Sequence, residues 1–264
     1  MKLGFIGCGN MAGAMIGGIL KNGILPAEEM IGSNSKESSL KRTAQEYGIQ
    51  TTLDNRAVAG SSDILVLSVK PQYYAEVIEE IRQDVREDQL IVTIAPGKTI
   101  EWLTERFAKP VKIIRCMPNT PALVGEGITG VCAGSLVSRE ELDYVCHILS
   151  GCGRTEVVSE KLLDVVVSVS GSAPAYVFMF IEAMADGAVA DGMPRVQAYK
   201  FAAQAVLGSA KMVLETGKHP GELKDMVCSP GGTTIEAVRV LEEKGLRSAV
   251  IEAMKACVEK GRNM

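Results

Sequence analysis

The segment Gly7-Cys8-Gly9-Asn10-Met11-Ala12 matches the pattern G-x-G-x-x-A and directly follows an apolar run that ends at Ile6. In such a pattern the first glycine permits a tight turn, the second lets the backbone approach a pyrophosphate, and the small third residue allows close helix packing. A helix that begins here offers free N–H groups to an anion. We therefore predict that Ile6 and this segment bind the pyrophosphate of a dinucleotide. The alternative is a tight strand-to-helix turn that binds nothing.

The residues that follow the second apolar run bear on the choice between NAD and NADP. A carboxylate at the end of that strand bonds the ribose 2′-hydroxyl of NAD and repels the 2′-phosphate of NADP. Glu28 and Glu29 precede the run, whereas its exit reads Ser33-Asn34-Ser35-Lys36 and carries no carboxylate. This composition favours NADP, and we expect an aspartate at Ser33 to shift the preference toward NADH. The alternative is an ordinary polar loop in which Ser35 caps the next helix.

Three further strand ends carry residues suited to line a ligand crevice, because ligands of open α/β sheets bind at the carboxyl ends of the strands. They are Ser68-Val69-Lys70-Pro71-Gln72, Ala95-Pro96-Gly97 and Arg115-Cys116-Met117-Pro118-Asn119. Plain loops with a solvated Lys70 remain the alternative. We interpret Cys116 as a small buried residue rather than a nucleophile, because neither histidine stands near it in sequence.

The segment Ser229-Pro230-Gly231-Gly232-Thr233-Thr234 precedes an apolar run with helical spacing. Two glycines and two threonines at a helix start leave backbone amides and hydroxyl donors available, which suits a small carboxylate. A helix start without a ligand explains the same pattern equally well.

Short β-branched runs alternate with amphipathic stretches as far as about residue 155, which is typical of successive βαβ units. The predicted strands are Leu3–Ile6, Met30–Ser33, Ile64–Val69, Leu90–Ala95, Val111–Cys116 and Ile128–Ala133. The predicted helices are Met11–Asn22, Lys36–Tyr47, Tyr73–Arg82, Ile100–Phe107 and Arg139–Leu149. After about residue 160 only helical spacing continues. We therefore predict an α/β fold, with a Rossmann-like dinucleotide-binding domain over residues 1–158 and an all-α domain over residues 159–264.

Composition excludes several classes of protein. The 264 residues are 47% hydrophobic and 23% charged, as in ordinary globular proteins. A net charge of −4 argues against a nucleic-acid partner. Seven cysteines without a C-x-x-C pair, beside two histidines, predict neither disulfides nor a metal site. The apolar stretch from Ala173 is interrupted at Glu182, short of the roughly 20 residues of a membrane span, so we expect a soluble, cytoplasmic protein.

In these motifs the chain resembles the pyrroline-5-carboxylate reductases, which perform the last step of proline synthesis. The resemblance also includes Thr120-Pro121, Ser170-Gly171-Ser172-Ala173-Pro174-Ala175-Tyr176 and Asp191-Gly192-Met193-Pro194-Arg195. The motifs occur in order and span most of the chain.

The resemblance implies a C-terminal helical domain that intertwines with its twofold mate, and an active site between one subunit's cofactor and the partner's helices. It implies that Ser229 to Thr234 hold the pyrroline carboxylate, with Glu160 near the same pocket and the Thr234 hydroxyl near the ring nitrogen. Asn55 and Ser33 to Ser35 are expected at the adenosine end of NADP. Val69 to Gln72, Ala95 to Gly97 and Asn119 are expected along the rest of the cofactor.

We therefore expect hydride transfer from NADPH, or NADH, to the imine carbon of 1-pyrroline-5-carboxylate, giving L-proline. A β-hydroxyacid dehydrogenase, with Lys161 or Lys200 taking the alcohol proton, and a non-catalytic NADP sensor are the alternatives. The stretch from Ala173 to Ala210 is apolar around much of its circumference, which predicts a homodimer or a higher oligomer built of dimers.

Overall fold

The computed structural model describes residues 1–262, in two compact units. The first comprises residues 1–172 together with the chain from Cys257, and the second comprises Ala173–Ala256. The strands are β1 (Leu3–Ile6), β2 (Met30–Ser33), β3 (Gln50–Thr52), β4 (Ile64–Leu67), β5 (Leu90–Thr93), β6 (Lys112–Met117), β7 (Gly127–Ala133) and β8 (Gly153–Val157). The helices of the first unit are α1 (Asn10–Lys21), α2 (Glu37–Tyr47), α3 (Asn55–Ser61), α4 (Tyr74–Ile81), α5 (Ile100–Phe107), α6 (Arg139–Leu149) and α7 (Leu163–Val166).

The eight strands form one sheet in the order β3-β2-β1-β4-β5-β6-β7-β8. All neighbours are parallel except β6 and β7. The chain winds outward from β1 in one direction through β2 and β3, and in the other through β4 and β5. This reversal leaves a crevice at the carboxyl ends of β1 and β4, where dinucleotides bind in such sheets. The predicted α/β class is confirmed.

The central strands are buried because helices cover both faces of the sheet. All four residues of β1, β4 and β5 are buried. One core cluster gathers α1 and α6, with Phe5 and Ile16 fully buried, and the other gathers α4 and α5, with Leu65 and Ile78 fully buried. These clusters fix the strand ends from which the candidate site residues project.

Each predicted strand and helix of the first unit is present, with ends within two residues of the prediction. The prediction missed β3, α3 and β8. The strands β3 and β8 are short and polar, and α3 has only seven residues. None of the three shows a clear period of apolar residues. Helix α2 stops at Gly48, whose φ of +70° is the left-handed conformation expected of its predicted glycine stop.

Residues 159–172 pack with the first unit, although the sequence assigns them to the second domain. Leu163 is fully buried in a cluster with Met117 and Cys132. A five-residue π-helical segment, Val167–Gly171, follows α7. The domain boundary after residue 158 stays a prediction.

The second unit is helical, as predicted, and few of its side chains are buried. Its helices are α8 (Ala173–Ala190), α9 (Arg195–Thr216), α10 (Pro220–Val227), α11 (Thr233–Glu243) and α12 (Leu246–Arg262), the last of which continues into the first unit. Large apolar side chains are exposed along α8 and α9, among them Phe178 at 64%, Met179 at 69% and Phe201 at 67%. Such an apolar surface marks a contact with another molecule.

The apolar helical stretch is longer than the sequence predicts. Residues Glu160–Ala190 form a helical run of 31 residues that could cross a membrane by length and composition alone. The interruption at Glu182 therefore does not exclude a membrane span.

Candidate active site

The turn after β1 requires glycine at its first position. Gly7 has a φ of +99°, and a Cβ there would lie 2.7 Å from Val69 Cγ1 and 2.8 Å from the Val69 nitrogen. The N–H groups of Gly7 and Cys8 both donate to the Ser33 carbonyl, at 3.0 and 2.9 Å. The turn is thus pressed against the ends of β2 and β4, where a left-handed residue without a side chain is needed.

Helix α1 begins directly behind this turn with free amide groups. Gly9 is the residue before the helix, and no side chain accepts a hydrogen bond from the first helical N–H groups. A Cβ on Gly9 would meet only the Gly7 carbonyl, at 4.0 Å, so the approach to the helix start is open. Ala12 is 1% exposed and packs in the core. These features suit the close approach of a pyrophosphate.

A cavity of about 520 Å³ opens at this helix start. Seven of the predicted cofactor residues line it, namely Gly7, Gly9, Asn34, Ser35, Asn55, Val69 and Lys70. Six further residues complete the lining, namely Lys36, Ser68, Tyr73, Glu76, Val77 and Glu80. The sequence motifs had not indicated the last four of these. The volume is within the range of small-molecule sites.

Other predicted cofactor residues lie outside this lining. They are Ile6, Cys8, Asn10, Met11, Ala12, Ser33, Pro71, Gln72, Ala95, Pro96, Gly97 and Asn119. Ile6 and Cys8 are core residues, and burial raises the pKa of the Cys8 thiol to about 11. Asn119 is buried, and both ends of its amide are bonded, because its Nδ2 donates to the Ser170 carbonyl and its Oδ1 accepts from the Ile128 N–H.

Ser33 does not face the cavity, which corrects the expected effect of an aspartate there. Its side chain is fully buried, and its Oγ donates to Asn55 Oδ1 at 2.7 Å. An aspartate would bury a charge rather than present it to a ribose. Ser35 is not the cap of α2 either, since Lys36 occupies the cap position without a side-chain hydrogen bond.

Asn34 connects the two loops that border the cavity. Its Nδ2 donates to the Cys8 carbonyl at 3.0 Å, and its Oδ1 accepts from the Lys36 N–H at 3.0 Å. The loop after β2 is therefore fixed to the glycine turn, and the Lys36 side chain starts from a held backbone.

A second cavity of about 320 Å³ lies at the carboxyl ends of β5 and β6. Its lining includes the predicted residues Gly97 and Glu160 together with Arg115, Thr99 and Lys161. Glu160 Oε1 accepts from Arg115 Nη1 at 2.6 Å and from the Ile100 N–H at 2.8 Å. The carboxylate thus joins the end of β6 to the start of α5.

Cys116 follows Arg115 on β6 and is buried. Desolvation raises the pKa of its thiol far above the usual range, so the side chain is neutral and unreactive. This fits its interpretation as a core residue. Within residues 1–262, no group of three or more His, Cys, Asp or Glu side chains is arranged to hold a metal ion.

The segment Ser229–Thr234 of the second unit forms a tight turn followed by α11. Gly231 has a φ of +67°, and the Gly232 N–H donates to the Ser229 carbonyl at 3.0 Å. Gly232 precedes the helix, and no side chain caps it. Thr234 is partly buried and is the second residue of α11, so it belongs to the first turn, which no side chain caps. This arrangement can bind a small carboxylate.

Comparison with known proteins covers both halves of the chain. A family model described as pyrroline-5-carboxylate reductase dimerisation matches residues 160–264, and one described as NADP oxidoreductase coenzyme F420-dependent matches residues 2–97. The pyrroline-5-carboxylate reductase of Escherichia coli strain K12 is 53% identical over 264 residues, which are 100% of this chain and 98% of the relative.

Solved structures agree with these matches. A pyrroline-5-carboxylate reductase from Coxiella burnetii superposes with a TM-score of 0.93 at 35% identity, covering 99% of this chain and 97% of that one. The Plasmodium falciparum pyrroline carboxylate reductase, solved with NADP bound, gives 0.89 at 32% identity, covering 100% and 97%. The resemblance drawn from the motifs is confirmed, and the chain belongs to the pyrroline-5-carboxylate reductase family.

Proposed function

We propose that the chain transfers a hydride from NADPH to the imine carbon of 1-pyrroline-5-carboxylate, giving L-proline. The observation that carries this proposal is the 53% identity to a pyrroline-5-carboxylate reductase over the whole chain, which includes the dinucleotide half and the helical half together. The relatives that match the whole chain at 53% and 41% identity are both pyrroline-5-carboxylate reductases, so they give no support to the β-hydroxyacid dehydrogenase alternative.

The residues around the first cavity fit a dinucleotide. Gly9 leaves room for a pyrophosphate, the first N–H groups of α1 are uncapped, and Lys36 and Lys70 supply positive charge to the lining. When bound, NADPH supplies the hydride. The protein's task is then to hold the nicotinamide and the imine in contact and to exclude other orientations.

The substrate carboxylate is assigned to Ser229–Thr234. Backbone amides at the start of α11 and the hydroxyls of Ser229, Thr233 and Thr234 provide donors, and the helix dipole favours the negative charge. A cyclic imine can enter already protonated, so hydride addition leaves a neutral amine and requires no dedicated acid. We place the Thr234 hydroxyl between two groups of the substrate: it donates to the carboxylate and accepts from the iminium N–H of the ring.

Glu160 is assigned an indirect role in this scheme. Its carboxylate already accepts from Arg115 and from the Ile100 N–H, which follows the loop Ala95–Gly97 by three residues. We therefore place Glu160 as a residue that positions this loop along the cofactor.

The functional unit is proposed to be a homodimer, alone or within a higher oligomer, in the cytoplasm. The dimerisation family model covers residues 160–264, and the exposed apolar side chains of α8 and α9 lie inside that range. We assign the apolar run Glu160–Ala190 to subunit contact rather than to a membrane, and the match supports this assignment. No nucleic-acid partner is proposed.

Two variants separate the cofactor site from the substrate site. Gly9→Val fills the open approach to α1 and is expected to weaken NADPH binding while the fold is retained. Thr234→Val keeps the shape of the side chain but removes one hydrogen bond to a charged group, worth roughly 1.5–3 kcal/mol. At about 1.4 kcal/mol per decade, kcat/KM for pyrroline-5-carboxylate should fall about 10- to 100-fold, with NADPH affinity unchanged.

Ser150→Ala, in the first unit, is the control, because this exposed hydroxyl donates to the His147 carbonyl in the last turn of α6 and lines neither cavity. Loss of NADPH binding in Thr234→Val, or full activity in it, would remove the main support for the carboxylate site. Tight NADPH binding by the wild type without turnover of the imine would favour a non-catalytic sensor.

A further inference from the structure

A carboxylate reaches the dinucleotide cavity from an element other than β2. Glu80 lies in the last turn of α4, is exposed, and lines the cavity together with Ser35 and Lys36. The exit of β2 itself carries no acid, which is the feature of the sequence that favoured NADP. The fold therefore supplies a negative charge that the residues after β2 lack.

Two hydrogen bonds fix the position of this carboxylate relative to the end of β2. The buried Ser33 Oγ donates to Asn55 Oδ1 at 2.7 Å, and Asn55 Nδ2 donates to Glu80 Oε2 at 2.8 Å. Because the serine hydroxyl occupies the carbonyl side of the amide, the Asn55 NH₂ group is directed to Glu80. Ser33 ends β2, so a chain of two hydrogen bonds joins that strand end to Glu80.

This position has a defined meaning for a dinucleotide. The end of β2 is where an acidic side chain accepts from the ribose 2′-hydroxyl in NAD-binding folds, and where a 2′-phosphate would meet that acid as a like charge. Asn55 donates to one Glu80 oxygen, and within residues 1–262 the other oxygen has no hydrogen-bond partner, so it can accept a second bond. On the same cavity wall Lys36 carries the opposite charge, which suits a phosphate.

We propose that Glu80 is a specificity-determining residue of the cofactor site, which accepts from the 2′-hydroxyl of NADH and opposes the 2′-phosphate of NADPH. Lys36 acts in the opposite sense, and the balance between the two sets the cofactor preference. The proposal rests on the dinucleotide site proposed above. Although no acid follows β2, the chain would then bind NADH as well as NADPH, because Glu80 supplies the carboxylate.

The test compares dissociation constants of NADPH and NADH, measured by fluorescence titration of the full-length protein, in four variants. Glu80→Gln keeps an oxygen that can accept from Asn55 but removes the charge, and is expected to shift the affinity ratio about tenfold toward NADPH. Lys36→Met is expected to shift it about tenfold toward NADH. Glu79→Gln is the matched control, because Glu79 is on the same helix, pairs with Arg82 and does not line the cavity. Glu76→Gln tests the other acid of the lining.

An unchanged ratio in Glu80→Gln, or equal weakening of both cofactors, would overturn the proposal, since Glu80 would then only support Asn55. A larger shift in Glu76→Gln than in Glu80→Gln would overturn it as well, because the discriminating charge would lie one turn earlier. If the wild type bound neither cofactor, the dinucleotide site itself would fail, which is a different result from an unchanged ratio.

Discussion

Replacing Glu160 with alanine is expected to destabilise the protein by about 2–4 kcal/mol. The Arg115 side chain is 4% exposed and has Glu160 as its ion-pair partner at 2.6 Å, whereas the Glu160 side chain is 34% exposed. Removing one partner of a fully buried pair costs about 3–5 kcal/mol. Because water can reach the guanidinium through the space that Glu160 leaves, the cost here is lower than for a fully buried pair. The Ile100 N–H also loses its acceptor, which adds about 1 kcal/mol.

The measurement is urea unfolding at a fixed protomer concentration, because the stability of an oligomer depends on concentration. Arg115→Met removes the buried charge itself and should lower the free energy of unfolding less than Glu160→Ala does. The double variant should be as stable as Arg115→Met. Glu156→Ala, on the exposed strand β8, is the control for loss of a carboxylate.

If Glu160→Ala unfolded at the wild-type urea concentration and raised only the KM for the imine, the ion pair would contribute no stability. Glu160 would then be a direct substrate ligand. That result would refute its role in positioning the start of α5.

Three further outcomes follow from the same structure. Gly7→Ala should lower the free energy of unfolding in urea by at least about 2 kcal/mol. The reason is that Gly7 has a φ of +99° and a Cβ there would lie 2.7 Å from Val69. Unchanged stability would contradict this geometry of the turn. Burial raises the pKa of both Cys8 and Cys152 to about 11, so at pH 8 both thiols stay protonated and should escape alkylation by iodoacetamide until urea is added. Labelling at the rate of an exposed thiol would show that these residues are accessible. Phe178→Asp should shift the protein toward monomer in sedimentation at micromolar concentration, and an unchanged sedimentation coefficient would place the subunit contact elsewhere.

The sequence predicts the parts of the fold whose residues have a clear period and are buried on both sides. Leu3–Ile6 and Met30–Ser33 were placed without error, because apolar runs between turn residues have few other interpretations. The edge strand Gln50–Thr52 and the strand Gly153–Val157 carry polar, partly exposed residues, so alternation gave no signal there.

The sequence predicts site residues well where the backbone conformation requires a residue type. It predicts them less well where the role depends on the direction of a side chain. Gly7 and Gly9 follow from the geometry of the turn alone. The direction of Ser33 could not be known without Asn55, which is 22 positions away in sequence. Glu80 belongs to an amphipathic helix in which it looks like any solvated acid, and only the fold brings it to the end of β2.

The rate of NADPH oxidation with 1-pyrroline-5-carboxylate tests the central claim most directly. The proposed reaction predicts saturable oxidation of NADPH that depends on the imine, with proline formed in equal amount. Substitution of a 3-hydroxy acid, assayed with NADP in the reverse direction, should give no turnover. Binding of NADPH without proline formation, or turnover of the hydroxy acid instead, would contradict the proposed function.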